Sequence, residues 1–203
     1  MDNTDRYKTI SQATDAILYK EKNSKFYGYA YPISAESDAK IILDQLRKEH
    51  HSARHWCYAY QIGVETPYYR ANDDGEPANS AGMPIYGQIQ AFELTNVLVV
   101  VVRYFGGVKL GVGGLIQAYR TAAKMSLENA DIIEQTILVT YILTFEYKDL
   151  NKVMRVIREQ QLEISRRDMK LECRLEVLVR KKNAAAVFEI LESLYGITVK
   201  TGC

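Results

Sequence analysis

The segment RYFGGVKLGVGG, residues 103–114, places five glycines within nine positions directly after a hydrophobic run. A strand that enters a glycine loop and leaves as a helix exposes free backbone N–H groups at the positive end of the helix dipole, the usual backbone site for an anion. The spacing matches neither well-defined phosphate motif. A P-loop needs Gly-Lys-Ser/Thr after four intervening residues, whereas Gly106 is followed by Gly111 and then Val112. A dinucleotide fingerprint opened by Gly111 and Gly113 requires glycine where Ile116 stands. One reading keeps Arg103, Gly106, Gly107, Lys109, Gly111, Gly113 and Gly114 as an anion or nucleic-acid contact. The other gives the glycines only positive φ and close backbone approach at a tight turn. The two are compatible.

Two further clusters could do chemistry. NDDGEP gathers Asp73, Asp74 and Glu76 around a glycine, but the alternating carboxylates and distant Glu of a calcium loop are absent. The same residues fit an Asx-type turn bending at Asp74-Gly75. Between these readings, one of the acids pairs with Arg70 or Arg103 and locks the loop over the glycine segment. HHSARHWCY offers His51, His55 and Cys57. Zinc lacks a second ligand pair, and a thiol inside a strand is badly placed as a nucleophile. No catalytic residue, metal or cofactor is assigned, and the expectation is a protein that is not an enzyme.

Aromatic and basic stripes remain. Tyr27, Tyr29 and Tyr31 alternate on one strand and Trp56, Tyr58 and Tyr60 on another, faces able to stack bases but more often used in cores. Lys148, Lys152 and Arg155 lie opposite Leu150, Val153 and Ile157 on one helix. With Arg166 and Arg167 they form a secondary basic patch, joined at strand ends by Arg180, Lys181 and Lys182. Residues 136–203 carry 12 Lys and Arg against 9 Asp and Glu, residues 1–135 carry 14 against 16, and the whole chain is +1. Any phosphate affinity must therefore come from local patches rather than the bulk field.

The elements that hold these residues follow from periodicity. Residues 24–33 and 52–62 read as strands, 36–50 as a helix with Ala39, Ile42, Leu43 and Leu46 inward, and 63–82 as a long polar loop. A short helix is expected over 84–94, a fully buried strand over 96–105, and a helix over 115–130. Further on, residues 136–147 read as a strand and 148–160 as a helix. Residues 162–170 and 171–180 read as two strands, with Leu171, Cys173, Leu175, Val177 and Val179 alternating. Asn183 is the expected cap of a helix that Gly196 terminates before a strand at 197–201. That β-α-β-β-α-β order is the ferredoxin-like pattern. The class is α+β, with domains over 1–133 and 136–203.

Three scattered cysteines, Cys57, Cys173 and Cys203, do not make a disulfide framework. The N-terminal MDNTDRYKTISQ has no signal-peptide core, and the longest apolar run, Val97 to Val102, is far too short to span a membrane. A cytoplasmic protein without a membrane role is expected.

The segments ARHWCYAY, NDDGEPANSAGMPI and NVLVVVVRYFGGVKLGVGGLIQAYRTAA, in this order, closely resemble the IMPACT family in its YigZ-like bacterial branch, across about residues 15–130. The resemblance implies an N-terminal ribosomal-protein-S5 domain 2-like fold and a ferredoxin-like C-terminal domain, together similar to the last two domains of elongation factor G. It implies no enzymatic activity, a link to translational control through a protein partner, and nucleic-acid binding in bacterial members. The surface it points to comprises His55, Asp73, Asp74, Glu76, Arg103, Gly106, Gly107, Lys109, Gly111, Gly113 and Gly114. Where relatives tend to carry Gly-Thr-Ala-Gly after the Glu-Pro, this chain has Asn79, Ser80, Ala81 and Gly82, so position 79 must do without glycine's freedom. The leading expectation is an RNA- or ribosome-binding protein. A protein-docking module is second, and a nucleotide-using enzyme of S5-like fold is third.

Overall fold

The computed structural model describes residues 5–202. Cys203 and the first four residues of the N-terminal segment lie outside them. The chain divides into two compact units, residues 7–135 and residues 136–202 with Asp5 and Arg6. Among the described residues no helix is long and apolar enough to cross a membrane.

The first unit is built on a hydrophobic run that only a doubly covered strand can bury. In strand β6 (Val97–Tyr104), every residue from Val97 to Val102 is inaccessible, with side chains going alternately to two cores. It is the centre of a five-stranded antiparallel sheet whose other members are β2 (Ile17–Glu21), β3 (Ser24–Pro32), β4 (His55–Ile62) and β5 (Tyr68–Asn72). The spatial order is β2-β3-β6-β4-β5. On one face helix α1 (Glu36–Glu49) buries Ala39, Leu43 and Leu46 against Tyr29, Tyr58, Tyr60 and Val100. The tyrosine stripes are therefore core, as burial of a large aromatic area favours. On the other face α2 (Gly82–Ala91) and α3 (Gly111–Glu128) cover Phe26, Cys57, Ala59, Val99 and Val101. Strands β1 (Arg6–Ile10) and β7 (Ile132–Thr136) pair in a separate two-stranded sheet.

Three features here depart from expectation. The stretch 63–82 is not all loop, because β5 pairs with β4 from Tyr68 to Asn72. Strands β1, β2 and β7 carried no sequence signal strong enough to name. Helix α3 begins at Gly111 rather than 115, and α2 at Gly82 rather than 84, so three glycines of the loop lie in the first helical turn.

The second unit runs β8 (Leu138–Glu146), a one-turn 3₁₀ segment, α4 (Leu150–Glu159), β9 (Glu163–Met169), β10 (Glu172–Arg180), α5 (Lys181–Glu192) and β11 (Ile197–Thr201). The sheet order is β11-β8-β10-β9, antiparallel throughout. Val153, Val156 and Ile157 of α4 and Val187 and Leu191 of α5 pack on Leu143, Cys173, Leu175 and Val177. Two local expectations fail. Asn183 does not cap α5: β10 passes directly into the helix at Arg180, whose backbone is still extended, leaving Asn183 inside the first turn. Leu171 does not continue the buried alternation, because it sits in the turn beyond the β9–β10 ladder and is fully exposed. Gly196, φ 85°, turns the chain between the end of α5 and β11.

Candidate functional site

Arg103 is the last buried residue of β6, flanked across the sheet by Phe26 on β3 and His55 on β4. Its guanidinium lies 5.5 Å from the centroids of both the Phe26 and Phe105 rings, a position that cation–π attraction favours. Its Nη1 donates to Glu76 Oε1 at 2.6 Å. The Tyr119 hydroxyl of α3 donates to the same oxygen at 2.7 Å. Side-chain exposure is 6% for Arg103 and 4% for Glu76, so the pair is withdrawn from water and each charge depends on the other. Burial pushes the Tyr119 hydroxyl strongly up, which keeps it a donor. Arg103 Nε is buried and takes no hydrogen-bond partner.

The loop that delivers Glu76 is fixed by its own acids. Asp73 accepts the backbone N–H of Ala81 and Gly82 through Oδ1, at 2.9 and 2.8 Å, capping the start of α2, and that of Asn79 through Oδ2 at 2.8 Å. Asp74 accepts the Trp56 N–H at 2.8 Å, and its own N–H goes to Asn72 Oδ1 at 2.7 Å, an Asx turn. Asp74 and Gly75 take the bend at φ 42° and 87°. Asn79 sits at φ 60°. It occupies the left-handed region open to few residues besides glycine, and asparagine is the best of them, so the departure at position 79 preserves the backbone shape.

His55 Nδ1 lies 2.9 Å from the Asp74 carbonyl, which can only accept, so that nitrogen carries the proton. Cys57 donates to the Asp73 carbonyl at 3.0 Å, and burial pushes its thiol far up. That geometry makes a poor nucleophile. Among the described residues no group of three or more His, Cys, Asp or Glu is arranged to hold a metal ion.

The glycine segment splits at Gly106. A Cβ there would stand 2.1 Å from the Asn23 carbonyl carbon, so this glycine lets the loop press on the β2–β3 turn. Beyond it the chain is open: Gly107, Lys109, Gly111 and Gly113 are exposed, and Gly114 is half-buried. Gly107 and Gly111 have φ 85° and 72°. Helix α3 starts after Leu110 with no side-chain cap and no acid in its first turn, so its first amides keep their affinity for an anion.

The candidate residues therefore fall into two sets. His55, Asp73, Asp74, Glu76, Arg103 and Gly106 belong to an internal lock, whereas Gly107, Lys109, Gly111, Gly113 and Gly114 form an exposed arc. Sequence reasoning missed Tyr119, Phe26 and Phe105. A tyrosine among the small inward residues of α3 was the available signal for the first, since a buried hydroxyl requires a partner. In the second unit the basic patch is exposed but locally neutralised. Lys148 meets Glu146 at 2.8 Å, Lys152 meets Asp149 at 2.6 Å, Arg155 meets Glu159 at 3.7 Å and Arg166 meets Glu176 at 4.0 Å. Arg167 is exposed on β9.

Known proteins are similar to this chain over most of its length. The family model of the Impact N-terminal domain matches residues 22–127. The chain is 32% identical over 188 residues to the IMPACT family member YvyE of Bacillus subtilis (strain 168), covering 93% of this chain and 86% of that protein. It is 39% identical over 142 residues to an IMPACT family member in the pol 5′ region of Thermus thermophilus, covering 70% and 76%. A crystal structure of a hypothetical protein is similar at TM-score 0.73 and 26% identity, over 96% of each chain.

Proposed function

The chain belongs to the IMPACT family, and from that premise we propose that it is a non-enzymatic RNA- or ribosome-binding protein of the cytoplasm, acting in translational control. The observation that carries this reading is the start of α3: an exposed, uncapped helix N-terminus made of glycines, free of acids and flanked by Lys109. Backbone amides and one lysine are what phosphate oxygens require, and they read no sequence. Lys148, Lys152, Arg155, Arg166 and Arg167 are assigned a secondary, salt-sensitive role. Arg103 supports the arc from inside and does not touch the nucleic acid.

We further assign the first unit, residues 7–135, to the S5 domain 2-like fold and the second, residues 136–202 with Asp5 and Arg6, to the ferredoxin-like fold. The β-α-β-β-α-β order and antiparallel sheet of the second unit support its assignment.

The test is retention of the full chain on ribosomes and on total RNA across a salt series. Retention is expected at ~50 mM salt, and Lys109→Ala is expected to weaken it and lower the salt slope by about one phosphate contact. Absence of retention by the wild-type chain at ~50 mM salt would falsify the proposal. A protein-docking reading is second, favoured by Phe105, Val108 and Val112, exposed at 46%, 46% and 53% along the same arc. A partner that survives nuclease treatment in a pull-down selects it. The nucleotide-enzyme reading stands third and requires a thermal shift with ATP.

A further inference from the structure

The five-stranded sheet ends on β5, whose only strand neighbour among the described residues is β4. On the α1 side, the helix packs over β3, β6 and β4 but stops short of β5, leaving a cleft of about 520 Å³ between helix and edge. Lys40, Asp44 and Arg47 line its helical wall, Arg70 and Asn72 its strand wall, with Tyr58 and Tyr60 below. Tyr68, Tyr69 and Arg70 are exposed along β5. Tyr68 leans edge-on against Tyr60, and Tyr69 stacks on Tyr86 of α2 at 4.0 Å, so the edge strand has a ring contact on each face.

A strand at a sheet edge keeps a row of backbone donors and acceptors pointing outward, which folds usually blunt with charge, proline or a covering element. Between Tyr68 and Ala71 this one is neither covered nor interrupted by proline. A helix standing beside an open edge strand, with a gap between them, is the geometry in which an extended peptide joins the sheet and drops alternate side chains into the gap. The charges choose the peptide. Lys40, Arg47 and Arg70 outnumber Glu36 and Asp44. Glu36 accepts from the Tyr60 hydroxyl at 2.6 Å, and Arg47 is shared between Asp44 at 3.6 Å and Asp74 at 3.7 Å, so Lys40 and Arg70 are the lining cations in no ion pair among the described residues. A nucleic acid fits less well. Its backbone has no N–H to offer the edge carbonyls, so it cannot extend the sheet as a strand does.

We propose that the cleft between α1 and β5 is a docking site for an extended acidic segment of a partner protein, which adds to β5 as a sixth strand and places carboxylates against Lys40 and Arg70. The site shares no residue with the α3 arc, so either can fail without the other.

Fluorescence anisotropy of the full chain with a labelled Glu-Val-Glu-Val-Glu-Val peptide tests it. Binding is expected to weaken by about tenfold or more in the Lys40→Glu, Arg70→Glu variant and when the peptide's Glu is replaced by Lys. Both substituted residues are exposed, and an unchanged circular dichroism spectrum checks that the variant folds. N-methylation at alternate peptide residues is expected to abolish binding in one register and spare it in the other, and bound peptide should slow amide exchange at Tyr68–Ala71. The proposal is overturned by no binding up to ~1 mM peptide, by equal binding of both N-methylated registers, by an indifferent charge-reversal variant, or by an RNA oligonucleotide protecting those amides while the peptide does not.

Discussion

The acidic loop of the first unit and the basic stripe of the second use the same residue types, and water separates them. Glu76 and Arg103 meet at side-chain exposures of 4% and 6%, with Tyr119 completing the contact. Arg155 and Glu159 meet at 66% and 60%, and Lys148 and Glu146 at 71% and 70%. In the first case neither charge has solvent to fall back on, so removing one strands the other. In the second, water replaces the partner at little cost. A count of ion pairs would treat the two regions alike.

The sharpest way to break this comparison is Glu76→Ala or Arg103→Ala. Each is expected to cost about 3–5 kcal/mol of unfolding free energy by urea titration. The double change Glu76→Leu, Arg103→Met should cost much less than the sum of single replacements, because both charges leave together. Single-variant losses no larger than those of the exposed pairs would dissolve the distinction.

Next in size, Gly106→Ala forces a methyl into the β2–β3 turn and is expected to cost roughly 1–3 kcal/mol. Gly113→Ala, in open space within the first turn of α3 and without positive φ, should instead stabilise by about 0.5–1 kcal/mol. If the α3 arc binds phosphate, the same variant weakens RNA retention while raising the melting temperature, a split that a merely conformational glycine would not produce.

A smaller effect comes from His50, exposed at 8% and held between the Tyr29 hydroxyl at 2.5 Å and the Tyr104 hydroxyl at 2.9 Å. Burial lowers its pKa below the ordinary 6.5, against an opposing pull from Glu49. The unfolded chain therefore takes up the proton first. The contribution is complete above pH 6.5 and is lost as pH falls through the lower folded value. Unfolding midpoints between pH 7 and pH 5 should fall more steeply for the wild type than for His50→Gln. Smallest of all, Arg155→Ala and Lys148→Ala should leave the midpoint unchanged, because each removes only a solvated partner.

Much of the frame was legible from periodicity. β6 announced itself as six consecutive apolar residues, and α4 as a helix with one apolar and one basic face. β5 did not, because Tyr-Tyr-Arg-Ala-Asn has neither alternation nor a buried run; its pairing with β4 comes from the hairpin, and one of its faces is left wet. β1, β2 and β7 read Arg-Tyr-Lys-Thr-Ile, Ile-Leu-Tyr-Lys-Glu and Ile-Ile-Glu-Gln-Thr, none of which alternates apolar with polar residues. The misplaced cap at Asn183 has a similar origin: a good capping residue lay three positions inside a helix that inherited its start from β10.

For the candidate site, residue identity went far and stopped at a definite point. Sequence alone determined that glycines at 106–114 turn a buried strand into a helix, that neither standard phosphate motif is present, and that an acid of the Asp-Asp-Gly-Glu run was a plausible partner for Arg103. It could not decide whether Arg103 faced solvent or an acid, because the choice lies in where a carboxylate 27 residues away comes to rest. That is set by Asp73 capping α2, by Asp74 holding the Trp56 N–H, and by α3 laying Tyr119 over the loop. Tertiary structure alone also opened the gap between α1 and β5, since a cleft exists only where two elements fail to meet. Local pattern fixes which side chains must leave water. Which charges they take with them depends on contacts between segments far apart in the chain.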